Sequence, residues 1–110
     1  MTESQKLVGK SSVIDSGSVV LGPDDDSLTI VIQNLTFTIM VVNDPRAERL
    51  NPERRSPNQM LIKINTYQGG DLTFKFKVGT LHGRELYLAI NLDIHANHRI
   101  IAYTFSTSRS

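Results

Sequence analysis

The sequence predicts an all-β protein, an antiparallel β-sandwich or flattened barrel of about seven strands. Apolar and polar residues alternate through most of the chain, turns with glycine or asparagine separate the runs, and no ten-residue window has a helical stripe. The chain has 110 residues, 39% hydrophobic and 21% charged, which suits one globular domain. We therefore expect residues 1–110 to form a single β-sandwich domain, with 1–12 as a flexible N-terminal tail.

The first half of the chain offers the strands of one layer, at residues 19–21, 28–32 and 35–42. Apolar residues occupy even positions before Gln33-Asn34 and odd positions after it. A two-residue turn at Gln33-Asn34 would place Ile32 opposite Leu35 and keep both apolar sets on one face. A continuous strand with a bulge at this point is the alternative.

The second half predicts a four-strand antiparallel meander, with strands at residues 59–66, 72–80, 84–95 and 98–107. Apolar residues occupy even positions in the first three strands and odd positions in the last. For the apolar residues of paired strands to share one face, a turn needs an odd number of residues where the parity is kept and an even number where it changes. A five-residue loop at 67–71, a three-residue turn at 81–83 and a two-residue turn at 96–97 satisfy this rule. The register then places Phe76 opposite Leu88, and Leu92 opposite Ile101.

Residues 43–58 form the one stretch of different composition, with three prolines and four arginines. We expect a long, mobile loop, with at most one helical turn at 45–50. Guanidinium groups bind carboxylates and phosphates well, so the loop is a candidate partner-binding segment. Three nearby acidic residues and the lack of an aromatic side chain argue against nucleic acid. The residues concerned are Arg46, Arg49, Arg54 and Arg55.

Two other groups of side chains are candidates for chemistry. A hairpin turn at 96–97 would place His95 opposite His98, with Asp93 two residues away, which is a weak candidate metal set since three ligands are needed. Polar ends of a surface hairpin explain the same residues, so we expect no metal and no cofactor. A small-ligand or carbohydrate site would use aromatic and amide side chains on exposed faces, and the candidates are Tyr67, Tyr87, Asn65 and Asn91.

Charge and cysteine content narrow the classes of function. The formal net charge of +1 gives no long-range field for nucleic acid or an anionic membrane, and no apolar run approaches the roughly 18 residues of a membrane helix. The absence of cysteine excludes disulfides and thiolate chemistry and is compatible with the cytoplasm, which we take as the expected location.

No nucleophile elbow or phosphate-binding loop is present in the sequence. We expect a non-catalytic protein-interaction or assembly module, an accessory subunit or a self-associating structural protein, whose partner is another protein or a second copy. The alternative is a small-ligand or carbohydrate-binding β-sandwich, and a metal-dependent enzyme ranks third.

Overall fold

A computed structural model describes the backbone of residues 11–108 and the side chains of 12–108. The chain forms β1 (Ser11–Leu21), β2 (Ser27–Ile32), β3 (Leu35–Val42), β4 (Leu50–Ser56), β5 (Gln59–Asn65), β6 (Thr73–Leu81), β7 (Arg84–Ile94) and β8 (Arg99–Ser108). The predicted all-β sandwich is confirmed, with eight strands instead of about seven. Residues 1–10 of the expected tail lie outside the described range, whereas 11 and 12 already belong to β1. The described range contains no helix that could cross a membrane.

The strands form two four-stranded sheets that pack face to face. The first sheet has the order β1-β8-β7-β6 and is antiparallel throughout, and the second has the order β2-β3-β5-β4. In the second sheet β3 and β5 run parallel, because the chain passes through β4 before it returns as β5. The sequence predicts an antiparallel sandwich, and this prediction is wrong for the one parallel pairing of β3 with β5.

The predicted four-strand meander is wrong in its first strand. The strand at residues 59–65 pairs with β3 and β4 in the second sheet, and the chain then crosses to the first sheet before β6. The meander therefore consists of β6, β7 and β8, and β1 is the fourth strand of that sheet. Alternation does not distinguish the two arrangements, since Ile62 and Ile64 face the core in either one.

The predicted register is confirmed for two hairpins. Ile32 lies opposite Leu35 across the Gln33-Asn34 turn, so the turn is correct and the bulged alternative is not. Leu92 lies opposite Ile101, as the two-residue turn at 96–97 requires.

The β6–β7 hairpin has the predicted register but a different turn. Phe76 lies opposite Leu88, while the turn contains only His82 and Gly83, both with positive φ. The extra residue needed by the alternation lies in a β-bulge between Lys77 and Gly79, inside the strand.

The core lies between the two sheets and draws on both. Phe37 of β3 and Phe105 of β8 meet with ring centroids 4.8 Å apart, and both side chains are buried. Tyr103 lies edge-on to Phe105 and covers Gly17 of β1 so closely that a Cβ at Gly17 would lie 2.7 Å from the tyrosine hydroxyl oxygen. The meander strands contribute the buried side chains of Leu88, Ile90, Leu92 and Phe105, and Phe74, Phe76 and Tyr103 pack against the core partly buried.

The strand order leaves two different open sides to the sandwich. The edge strands β1 and β2 contact each other on one side, where the loop at 22–26 joins them. The edge strands β4 and β6 lie on the other side. These sides are called the β1/β2 side and the β4/β6 side below.

Candidate functional site

The segment at residues 43–58 is not the long mobile loop that its composition predicts. Residues 45–47 form a turn rather than a helical turn, and Leu50–Ser56 form β4, which pairs with β5. A proline at position 52 is compatible with this strand because β4 is an edge strand, where one amide needs no partner in the sheet.

A single buried amide holds the turn before β4. The side chain of Asn65 accepts hydrogen bonds from the backbone N–H groups of Asp44 (3.0 Å) and Tyr67 (3.2 Å). It donates to the carbonyl oxygens of Asp44 and Ala47, each at 2.8 Å. Asn65 is only 4% exposed, so the prediction that it lies on an exposed ligand-binding face is wrong. The side-chain oxygen and nitrogen of Asn65 make their hydrogen bonds to the backbone of this turn and not to a ligand.

Two of the four candidate arginines bridge the two sheets on the β4/β6 side. Arg54 donates from Nη2 to the carbonyl oxygen of Val78 in β6, at 2.7 Å, and Arg49 donates to the carbonyl oxygen of Asp71 just before β6. A Cβ at Gly79 would lie 3.3 Å from Arg54 Nη2, so the glycine in the bulge leaves room for the guanidinium. The guanidinium groups of Arg49 and Arg54 therefore link the second sheet to the first on this side.

The other two arginines are exposed and lie apart from this bridge. Arg46 lies in the turn, where its backbone N–H is bound by the carboxylate of Asp44. Arg55 forms a salt bridge with Glu53 at 3.1 Å, and Lys63 approaches the same carboxylate at 3.7 Å. The four arginines therefore do not point to one common site.

A groove of about 250 Å³ lies beside Arg54, where the β4–β5 turn meets the bulge of β6. Its walls include Leu35, Phe37 and Met60, and its polar groups include Lys77. Since Arg54 is bound to backbone carbonyls and Lys77 to Glu85, neither cation is held ready for a ligand.

The aromatic and amide candidates do not converge. Tyr67 is 55% exposed in the loop after β5, whereas Asn91 lies on β7 and donates to the hydroxyl of Thr73. Tyr87 is four residues, about 13 Å, from Asn91 along the same strand.

Tyr87 is instead part of a small polar cluster. It donates a 2.6 Å hydrogen bond to Glu85, and Lys77 lies 3.4 Å from the same carboxyl group. The bond from Tyr87, followed by the charge of Lys77, lowers the pKa of Glu85, and the same bond raises the pKa of Tyr87.

The two candidate histidines meet as the hairpin register requires. The rings of His95 and His98 are stacked, with centroids 4.6 Å apart and planes inclined by 9°. Within residues 11–108, however, no group of three His, Asp or Glu side chains is placed to hold a metal, and Asp93 does not complete one.

The β1/β2 side carries exposed apolar side chains that no chemical motif in the sequence indicates. Over the described range six large apolar side chains are exposed, and four of them lie on β1 and β2: Val13, Ile14, Val20 and Val31. Val20 and Val31 are 63% and 62% exposed and flank the open side from the two sheets. Val19 and Leu28 of the same two strands are partly buried and pack against the core. The signal in the sequence was the string of apolar residues that breaks the alternation at 19–21 and 30–32.

Charge is distributed unevenly between the two sides. Residues 11–43, which form β1, β2 and β3, include four aspartates and no lysine or arginine. Residues 44–83, which include β4, β5 and β6, contain seven basic and four acidic residues. The small net charge of the whole chain therefore combines an excess of acidic residues in the β1–β3 segment, where Arg99 of β8 reaches the loop at 22–26, with an excess of basic residues in the β4–β6 segment.

Comparison with known families assigns the chain to one family. The family described as "Domain of unknown function (DUF6864)" matches residues 5–108, nearly the whole chain. The chain belongs to this family. No curated protein and no solved structure matches the chain. The family description states no activity.

Proposed function

We propose that this DUF6864 domain is a non-catalytic interaction module, and that a partner protein adds an extended strand to the β1/β2 side. The observation that carries the proposal is the concentration of exposed apolar side chains on the two edge strands of this side. Isolated exposed apolar residues are common, but β1 and β2 together carry four of the six in the described range, and an apolar, weakly charged edge strand is a surface to which another strand can pair.

The four edge strands differ in how well they are protected against strand addition. β4 contains Pro52 and three charged residues, and β6 has two lysines, a bulge and a carbonyl already bound by Arg54. Proline, charge and bulges are the devices that prevent another strand from pairing with an edge.

The β1/β2 side lacks most of this protection. β2 has no charge and no proline, and β1 has one charge, Asp15, beside a bulge between Val13 and Asp15. From Ser16 to Leu21 the edge of β1 is uncharged and regularly paired with β8 on its other side. An added strand would find backbone N–H and C=O groups at alternate residues of this run.

The proposal is tested by placing a lysine on the edge. We expect Val20→Lys, combined with Val31→Lys, to leave folding intact, because both side chains point to solvent. A photo-crosslinker at Ser18, introduced into the protein in its native cell, should form a covalent adduct with a partner in the wild-type background and lose it in the double variant.

Tyr67→Lys is the matched control, since Tyr67 is also large, apolar in part and 55% exposed but lies off the edge. It should retain the adduct. An adduct that persists in the edge variant, or that is lost equally in the Tyr67 variant, would place the interaction elsewhere.

A further inference from the structure

We infer that the strand received by β1 comes from another protein and carries basic residues on both sides of about six uncharged residues. The inference rests on the proposed function and adds the chemistry of the partner. It follows from the placement of charge around the unprotected part of β1.

The unprotected run of β1 has a defined length. Ser16–Leu21 spans six residues, about 20 Å at the usual rise of a strand. The run carries small or β-branched side chains and ends in leucine. Its outward-facing Val20 is largely exposed, while Val19 and Leu21 face the core. An uncharged segment of the same length, rich in β-branched residues, would match it.

Acidic residues border this run at both ends. Asp15 precedes it, and Asp24, Asp25 and Asp26 follow it in the loop to β2, all of them exposed. Among residues 11–108 none of these four carboxylates forms a salt bridge. The guanidinium of Arg99 reaches the loop but donates to the carbonyl oxygens of Gly22 and Asp25.

This arrangement disfavours a second copy bound through the same edge. A two-fold antiparallel pairing centred on Ser16–Leu21 would place Asp15 of one copy opposite Gly22 of the other, beside the acidic residues at 24–26. The same contact would occur twice by symmetry. Like charges at both ends of the paired strands oppose association, because Arg99 brings only one positive charge to a loop with three aspartates and β1, β2 and β3 contain no lysine or arginine.

A partner with lysine or arginine at these positions would reverse the sign of both contacts. Opposite charges at the rim of a binding edge raise the association rate and set the register, while the backbone bonds and apolar contacts supply the affinity.

Two synthetic peptides test the inference on the intact protein. Both have six central residues of alternating threonine and valine, and the ends carry two lysines each in one peptide and two glutamates each in the other. By fluorescence anisotropy at low salt, we expect the lysine peptide to bind at least about tenfold more tightly, with the difference shrinking as salt screens the charges.

Variants assign the effect to the named residues. Replacing Asp15, Asp24 and Asp26 together by Asn should weaken binding of the lysine peptide about tenfold, since three exposed ion pairs are lost. Asp25 is left in place because its carboxylate accepts from the backbone N–H of Gly22. The control Glu48→Gln/Asp71→Asn also removes exposed acidic charge, but outside β1–β3, and should bind as the wild type does.

A third peptide separates this inference from the proposed function. N-methylation at alternate residues of the lysine peptide preserves its charge and removes the N–H groups needed for strand pairing. If lysine and glutamate peptides bind equally and N-methylation abolishes binding, strand addition stands and the basic partner is wrong. If neither peptide binds, or the N-methylated peptide binds unchanged, both proposals fail. Dimerisation in sedimentation that Val20→Lys abolishes would identify a second copy as the occupant and overturn the inference.

Discussion

Replacing Asn65 by Ala tests whether the buried amide organises the segment before β4. The substitution removes four hydrogen bonds between the side chain and the backbone of Asp44, Ala47 and Tyr67. A typical intramolecular hydrogen bond contributes about 0.5–1.5 kcal/mol net. The turn is exposed, so water can replace part of what is lost, and we expect a decrease of about 2–4 kcal/mol in the free energy of unfolding. This is a large fraction of the roughly 5–15 kcal/mol that stabilises a domain.

The measurement is urea unfolding followed by far-UV circular dichroism, with the midpoint and slope fitted for each variant. Asn91→Ala is the matched control, because Asn91 is exposed and makes one side-chain bond, to Thr73, so its loss should cost less than about 1 kcal/mol. Asn65→Asp should be at least as destabilised as Asn65→Ala, since a carboxylate would face two carbonyl oxygens. Equal costs for Asn65→Ala and Asn91→Ala would refute the role assigned to Asn65.

Two further predictions concern the first sheet. Gly17→Ala should destabilise the fold by about 1–3 kcal/mol, because the new methyl group would lie 2.7 Å from the hydroxyl oxygen of Tyr103. In urea melts this cost should fall when Tyr103 is also replaced by Leu, and an unchanged cost would show that the tyrosine is not the obstacle. Tyr87→Phe should raise the pKa of Glu85 toward its ordinary value, because the bond that lowers it most is removed. In the wild type the stabilisation from this contact is present above the ordinary glutamate pKa and is lost as pH falls through the lowered one. Carboxyl ¹³C chemical shifts measure this titration, and identical curves for both proteins would contradict the assignment.

Alternation of apolar residues predicted local pairing well. Ile32 opposite Leu35 and Leu92 opposite Ile101 follow from which residues face the core and from the length of a short turn. Phe76 opposite Leu88 was also correct, although the odd residue lies in the bulge before Gly79 rather than in the turn. Alternation counts residues and does not say where an extra one is accommodated.

The errors in the fold arise where pairing is not local. The strand at residues 59–65 has the same inward face whether it pairs with β6 or runs parallel to β3, so its sequence does not choose between the sheets. The sequence predicts no strand at β4, because Pro52 and three charged residues are atypical of a strand, yet an edge strand tolerates both.

The candidate site was predicted less well than the fold. The guanidinium groups of Arg49 and Arg54 bind backbone carbonyls of the opposite sheet, a use that depends on tertiary contacts absent from the sequence. The sequence places Asn65 on an exposed face, whereas the turn before β4 buries its side chain through contacts between distant parts of the chain. That β1 and β2 are edge strands follows from the strand order of the two sheets, which alternation in the sequence does not predict.

Residue-resolved amide hydrogen exchange is the most direct test of the proposal that the β1/β2 side is the interaction surface. The exchange of each backbone amide is compared in the free protein and in the presence of saturating lysine-flanked peptide. We expect alternate amides within Ser16–Leu21 to exchange more slowly in the complex, since those that point away from β8 would gain partners. Unchanged exchange on β1 together with slowed exchange in β4 or β6 would contradict the proposal and assign the interaction to the opposite side of the sandwich.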